Sequence, residues 1–246
     1  MTQPPTVNTV APLQNVHHCM QAMRRVMERR DHLPGLIGFY GPSGFGKSTA
    51  AAYVANRYQA YYVEVKSNWP EGAFLKAVLS EMGIKPERRN YDMVDQISQQ
   101  LALSGRPLII DEFDHVVKKG YPNTIKDIYE GSHTGIMVIG EELLEANIAR
   151  DPDLERLHNR FLEWVAAEPA DLNDAEHMRA LYYPALQVEQ ELMQEVLIAS
   201  KHELRRIVVN LDRFNNLAVT EGLDKVTRAA WGNRGFFTGH AQKRRV

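Results

Sequence analysis

The chain has 246 residues, 44% of them hydrophobic and 24% charged, enough for one domain of moderate size with a smaller one appended. Its 29 Lys and Arg against 31 Asp and Glu leave a formal net charge of −2, so bulk charge does not mark a nucleic-acid binder. Cys19 is the only cysteine, which excludes an intramolecular disulfide and a cysteine-built zinc site, and no apolar run approaches the ~20 residues of a membrane-spanning helix.

Residues 1–12 are rich in Pro and Thr and read as a flexible arm. The start, Met1 to Pro5, lacks the charged-then-apolar pattern of a signal peptide, which with the lone cysteine predicts a cytoplasmic protein. Residues 13–31 read as an amphipathic helix, with Val16, Met20, Met23 and Met27 at helical spacing. Leu36 to Tyr40 is an apolar, strand-like run, and it delivers Gly41-Pro42-Ser43-Gly44-Phe45-Gly46-Lys47-Ser48-Thr49. This fits the P-loop pattern at every required position. The glycines let consecutive N–H groups point at phosphate oxygens, and Lys47 reaches the β- and γ-phosphates. The Ser48 hydroxyl suits Mg²⁺, and the helix that starts near Lys47 offers its positive end to the same anion. All nine residues are therefore candidates for holding ATP.

A second strand follows at 60–66, then helices at 71–82 and 91–104 separated by a basic loop with Lys85, Arg88 and Arg89. Leu108-Ile109-Ile110-Asp111-Glu112 is an apolar run without polar alternation, which suits a strand buried on both faces of a parallel sheet. It ends in two carboxylates, at the strand end where open α/β sheets place ligands. Asp111 is the expected Mg²⁺ partner, through a water, and Glu112 the expected base for an attacking water. A short helix is expected at 122–130, a buried strand at 135–140, a helix starting at Glu141, and a fifth strand at 161–165 behind a segment with Arg156 and Arg160. After Pro169 the chain reads as helix only, at 174–183, 187–200, 203–220 and 223–231, opened by Asn173-Asp174-Ala175-Glu176 as a capping box. From Lys225 to Val246 there are six basic residues and no Asp or Glu, with Trp231, Phe236 and Phe237 among or just ahead of them. Such a tail suits a phosphate backbone or an acidic partner, or is a solvated end.

In order, these segments resemble an AAA+ ATPase, and within that class the branch of origin-recognition ATPases and transposition regulators. Asp111-Glu112-Phe113-Asp114 is similar to that branch's IDE-x-D/Q-x-L segment, and Val138 to Leu143 to its sensor strand. Leu157-His158-Asn159-Arg160-Phe161 is similar to its arginine-finger segment, and His202 to Ile207 to its second sensor. Two departures stand out: Gly140 is followed by the acidic Glu141, and His202 occupies a usual glycine position. The compact size points to the MuB and TnsC type, although only about 35 residues precede the first strand, too few for the helix-turn-helix arm of MuB-type proteins.

The resemblance implies an α/β P-loop fold with a five-stranded parallel sheet and a C-terminal helical lid. Its expected divisions are 1–12, 13–170, 171–232 and a basic tail at 233–246. It also implies ATP and Mg²⁺ as cofactors, and a self-assembling ring or filament on double-stranded DNA that activates a transposase. Lys47, Glu112, Arg160 and Arg205 would be the catalytic set, with Arg160 entering the neighbouring subunit's site. Arg156 is the alternative finger and Arg206 the alternative second sensor. Duplex DNA would be gripped through phosphate contacts, with Lys66, Lys76, Lys85, Arg88, Arg89, Lys118 and Lys119 as candidates. A helicase loader, a secretion ATPase, a small-molecule P-loop kinase and a non-hydrolysing DNA scaffold are the competing readings.

Overall fold

A computed structural model describes residues 13–239 of the protein. The N-terminal arm and the basic residues Lys243, Arg244 and Arg245 lie outside the described residues. No helix among those described is long and apolar enough to cross a membrane. By contact density the chain divides into two units. One comprises Asn15–Pro42 with Lys47–Ala167; the other runs from Glu168 onward, and Gln14 and Ser43–Gly46 group with it.

The first unit is built on five strands: β1 (Leu36–Tyr40), β2 (Tyr61–Glu64), β3 (Leu108–Asp111), β4 (Ile136–Gly140) and β5 (Phe161–Ala166). They form one sheet in the order β2-β3-β4-β1-β5. All four pairings are parallel, as the unalternating apolar runs lead one to expect. β3 and β4 are buried along their whole length, so both faces of the sheet are covered there. Ile109, Ile110, Val138 and Ile139 are fully buried, and each such side chain contributes about 1.5–3 kcal/mol on leaving water. Because the strands are parallel, their C-terminal ends lie at one edge. The chain leaves that edge into the P-loop after β1, into Glu112 after β3 and into Glu141 after β4.

The connecting helices are α1 (Gln14–Met27), α2 (Lys47–Tyr58), α3 (Glu71–Glu81) and α4 (Asn90–Ser104), then α5 (Asp114–Lys118), α6 (Asn123–Ser132), α7 (Leu144–Ala149) and α8 (Glu155–His158). α1 buries Val16, Cys19, Met23 and Val26 and turns Arg24 and Arg25 outward. Sequence reading missed α5, whose five residues are too few to show a period. The helix expected at Glu141 begins only at Leu144.

The second unit holds α9 (Leu172–Tyr182), α10 (Gln190–Ala199), α11 (Leu204–Glu221) and α12 (Arg228–Trp231). It is not helix alone. β6 (Gln187–Val188) and β7 (Lys225–Val226) pair in parallel, which delays the start of α10 to Gln190 and of α12 to Arg228. The capping box of α9 also sits two residues earlier than expected. Asp171 Oδ1 accepts from the Asp174 N–H at 2.7 Å, and Asp174 Oδ2 accepts from the Asp171 N–H at 3.3 Å. A paired N-cap of this kind is worth about 1 kcal/mol. Of the aromatic residues expected to mark a nucleic-acid tail, Trp231 is core, Phe236 is half-buried against it and Phe237 is exposed. Trp231 is buried, edge-on to Phe214 at 4.7 Å and stacked with Phe236 at 5.9 Å. Arg228 and Arg234 are held by Glu195 and Glu221 at 3.0 and 2.9 Å. Burying the rings recovers more free energy than leaving them exposed on a basic tail would.

Candidate nucleotide site

The loop after β1 folds as the glycine pattern requires. Gly44 and Gly46 have φ of +86° and +84°, conformations that strain any other L-residue. Lys47, the first residue of α2, donates from Nζ to the Gly41 carbonyl at 2.7 Å and the Pro42 carbonyl at 2.9 Å. The ammonium thus pins the loop's entry from inside. Ser48 and Thr49 follow in the first turn of α2, both exposed.

One strand separates β1 from β3 in the sheet, and β3 brings Asp111 to the same edge. Asp111 is 2% exposed, and both of its oxygens are engaged. Oδ1 accepts from the Glu112 N–H at 2.8 Å, and Oδ2 accepts from the Tyr62 hydroxyl at 2.7 Å. Glu112 has a left-handed backbone, φ +57°, which is strained for a non-glycine residue and turns the chain sharply out of β3. Burial raises the Glu112 carboxyl above its ordinary range, and the charges of Asp111, Asp114 and Glu141 add to this against His115. Burial also lowers the Lys47 ammonium, against the pull of Asp111, Glu112, Asp114 and Glu141. Burial, followed by the charge of Asp111, pushes the Tyr62 hydroxyl far up, so it stays a neutral donor.

Asp114 and Gly140 complete this edge, and neither had been assigned a role from sequence. Buried Asp114 accepts the Glu141 N–H on Oδ2 at 2.7 Å, tying the end of β4 to the turn after β3. A Cβ on Gly140 would collide with that same oxygen, so the acidic segment Gly140-Glu141 is glycine-led for steric reasons.

The donor set fits a magnesium–nucleotide. The charges of four carboxylates act on one ammonium here, a balance that disfavours a bare triphosphate and that a divalent cation would offset. Asp111 retains lone pairs beyond its two hydrogen bonds, and Ser48 offers a hydroxyl. Few protein ligands, with water and phosphate oxygens completing the shell, is the usual habit of Mg²⁺.

The remaining predicted residues lie elsewhere. Arg160 precedes β5, and its carbonyl accepts the Leu36 N–H at 3.0 Å, at the start of β1. It therefore stands at the edge of the sheet opposite the P-loop. Its guanidinium grips Glu130 Oε1 through Nε at 3.1 Å and Nη2 at 2.7 Å. Arg156 is exposed. In the second unit Arg205 is exposed, whereas Arg206 pairs with Glu203 at 2.9 Å. Of the DNA candidates, Lys66, Lys76, Lys85, Arg88, Arg89, Lys118 and Lys119 are all exposed. Lys66 lies 5.6 Å from the Trp69 ring centre, and Arg89 bonds the Tyr91 hydroxyl. They are spread over the end of β2, α3, the α3–α4 connection and the end of α5 rather than forming one segment. Tyr62 was legible only as a strand former, because its bond to Asp111 crosses between strands.

Residues 29–148 match the model of the AAA domain, the domain of the AAA+ ATPases. No protein with a curated description is significantly similar to the chain in sequence. In fold the chain is similar to the ORC2 protein of Aeropyrum pernix, solved with ADPNP and ADP, at TM-score 0.68 and 14% identity over 91% of this chain and 68% of that one. It is similar to Cdc6p of Pyrobaculum aerophilum, at TM-score 0.59 and 13% identity over 91% of this chain and 66% of that one. It is also similar to the RuvB Holliday junction branch migration motor of Thermotoga maritima, at TM-score 0.56 and 14% identity over 88% of this chain and 66% of that one. The chain thus spans about two thirds of the length of each.

Proposed function

We propose, with the AAA domain of residues 29–148 as premise, that this chain is a Mg²⁺-dependent ATPase that assembles on duplex DNA and delivers that DNA to a transposase or activates it. The observation that supports the ATPase reading is that Lys47, Asp111 and Glu112 lie at the same end of one parallel sheet. Lys47 and the loop N–H groups bind and orient the phosphates, and Ser48 and Asp111 hold the cation. Glu112 lines up the attacking water and takes its proton, and its raised carboxyl range makes it a better base. Bound Mg²⁺ supplies neutralisation of the charge that develops on the phosphoryl oxygens.

Assembly is supported by where Arg160 stands. The opposite edge of the sheet lies a strand's length, roughly 15 Å, from the P-loop of the same molecule, so an arginine there is out of reach of its own site and is free to act on a neighbour's. Duplex DNA as partner is supported by the exposed basic residues and by the fold likeness to a branch migration motor. The transposase rests on the resemblance of the motif set to MuB- and TnsC-type proteins. The test measures ATP turnover against protein concentration, with and without duplex DNA. Turnover per subunit should rise with concentration and with DNA, and the DNA stimulation should fall steeply with salt. Full turnover in dilute, DNA-free protein would overturn assembly. Indifference to DNA would favour a small-molecule kinase.

A further inference from the structure

We infer that Tyr62 is a positioning residue for Asp111: its hydroxyl fixes the carboxylate in the orientation that receives the divalent cation. The inference rests on the ATPase reading and adds to it a residue outside every motif in the chain.

β2 and β3 run parallel with Tyr62 opposite Ile109 and Glu64 opposite Asp111. Residues two apart on a strand share a face, so Tyr62 and Asp111 are diagonal neighbours on one face, a span that an aromatic side chain can bridge. The Tyr62 hydroxyl closes that span at 2.7 Å on Oδ2. The Glu112 N–H holds Oδ1 at 2.8 Å. With one donor, the carboxylate could still rotate about its Cβ–Cγ bond. With two donors on its two oxygens the rotation is removed, and the lone pairs left over point in one fixed direction. A hydrogen bond to an ionised acceptor is among the stronger kinds, so the hold is firm.

The contrast with the adjacent tyrosine isolates the role. Tyr61 is buried, takes a hydrogen bond from Gln100 and lies under the Arg106 guanidinium, as a packing residue does. Tyr62 is half-buried, and its ring lines an open cleft of about 650 Å³ with Ala52, Ala55 and Asn56. Packing alone would be met by phenylalanine, so the hydroxyl is explained by the carboxylate it contacts.

The experiment is equilibrium binding with the full chain. Mn²⁺ is titrated in the presence of ADP and followed by electron paramagnetic resonance, and ADP affinity is measured separately with chelator present. Tyr62→Phe should weaken Mn²⁺ binding about tenfold or more, the usual effect of losing a hydrogen bond behind a metal ligand. Metal-free ADP affinity should stay at the wild-type value. In an Asp111→Asn background, Tyr62→Phe should have no further effect on Mn²⁺. Unchanged Mn²⁺ affinity in Tyr62→Phe overturns the inference and leaves the ATPase reading intact. Equal losses with and without metal also overturn it, because they assign Tyr62 to the fold. Wild-type chain that binds neither ADP nor Mn²⁺ overturns the nucleotide site itself, and this inference with it.

Discussion

Glu112 carries two costs at once: a left-handed backbone at φ +57° and a carboxylate partly withdrawn from water beside Asp111. Neither favours folding, and strain of this kind concentrates at functional sites. The direction of its titration yields a stability prediction. A carboxyl whose range is raised on folding holds protons longer in the native state than in the unfolded chain. The stability this gives is present below the unfolded range and is lost as pH rises through the folded one. At neutral pH the ionised Glu112 is therefore a net burden on the ligand-free protein. Glu112→Gln removes the charge and keeps the shape. It should raise the thermal midpoint at pH 7 by about 1–2 °C, a small shift because the side chain is only half-covered. The advantage should shrink as pH falls toward the carboxyl range. Calorimetry of both proteins from pH 4.5 to pH 8 checks this; an advantage that grows on acidification would refute it.

At the scale of elements, the edge of the sheet is held by close approaches that sequence motifs do not encode. Gly140 ends β4, and a Cβ there would strike Asp114 Oδ2 and lie 2.7 Å from Leu144 Cδ2. Gly140→Ala should therefore push Asp114 off the Glu141 N–H that it now holds at 2.7 Å. Overpacking together with a lost charge-assisted bond should cost about 2 kcal/mol, read from urea unfolding. Asp114→Asn, which keeps an acceptor, should cost less. The same contrast explains what was legible. β1, β3 and β4 could be read because each is a buried apolar run bounded by turn residues, β2 and β5 from their aromatic and β-branched residues, and Asp111 and Glu112 because they end such a run. The α9 cap could not be placed, since Asp171 to Asp174 and Asn173 to Glu176 both spell a capping box and only packing chooses between them. β6 and β7 are two residues each, too short for any period, and exist only because distant segments pair. His202 adopts φ +59°, and its ring Nδ1 lies 2.9 Å from the Ala170 carbonyl, a contact between residues distant in sequence that offsets the strain.

At the scale of the whole molecule, the decisive fact is that Lys47 and Arg160 stand at opposite ends of one sheet. Arg160 is engaged with Glu130, and the hydrogen bond from Arg160 is the main reason that carboxyl is held below its ordinary range. Both partners are exposed, and exposed ion pairs are worth between nothing and about 1 kcal/mol, so docking against a neighbour can break this one at little cost. A head-to-tail contact that repeats in this way builds a ring or an open filament. The sharpest check uses two defective proteins. Arg160→Ala keeps a complete Lys47–Asp111–Glu112 edge but offers no finger to its neighbour. Glu112→Gln keeps the finger but lacks the base. Each alone should lose most turnover, since such a finger is worth ~10³–10⁵ in rate. Mixed in equal amounts on duplex DNA, an Arg160→Ala site beside a Glu112→Gln neighbour is whole again. Random mixing then restores up to about a quarter of wild-type turnover, because half the subunits keep the base and half of those have a finger-bearing neighbour. If the mixture is no more active than its parts, Arg160 is a surface ion pair, and the charge on the transferring phosphoryl group must be met from within a single chain.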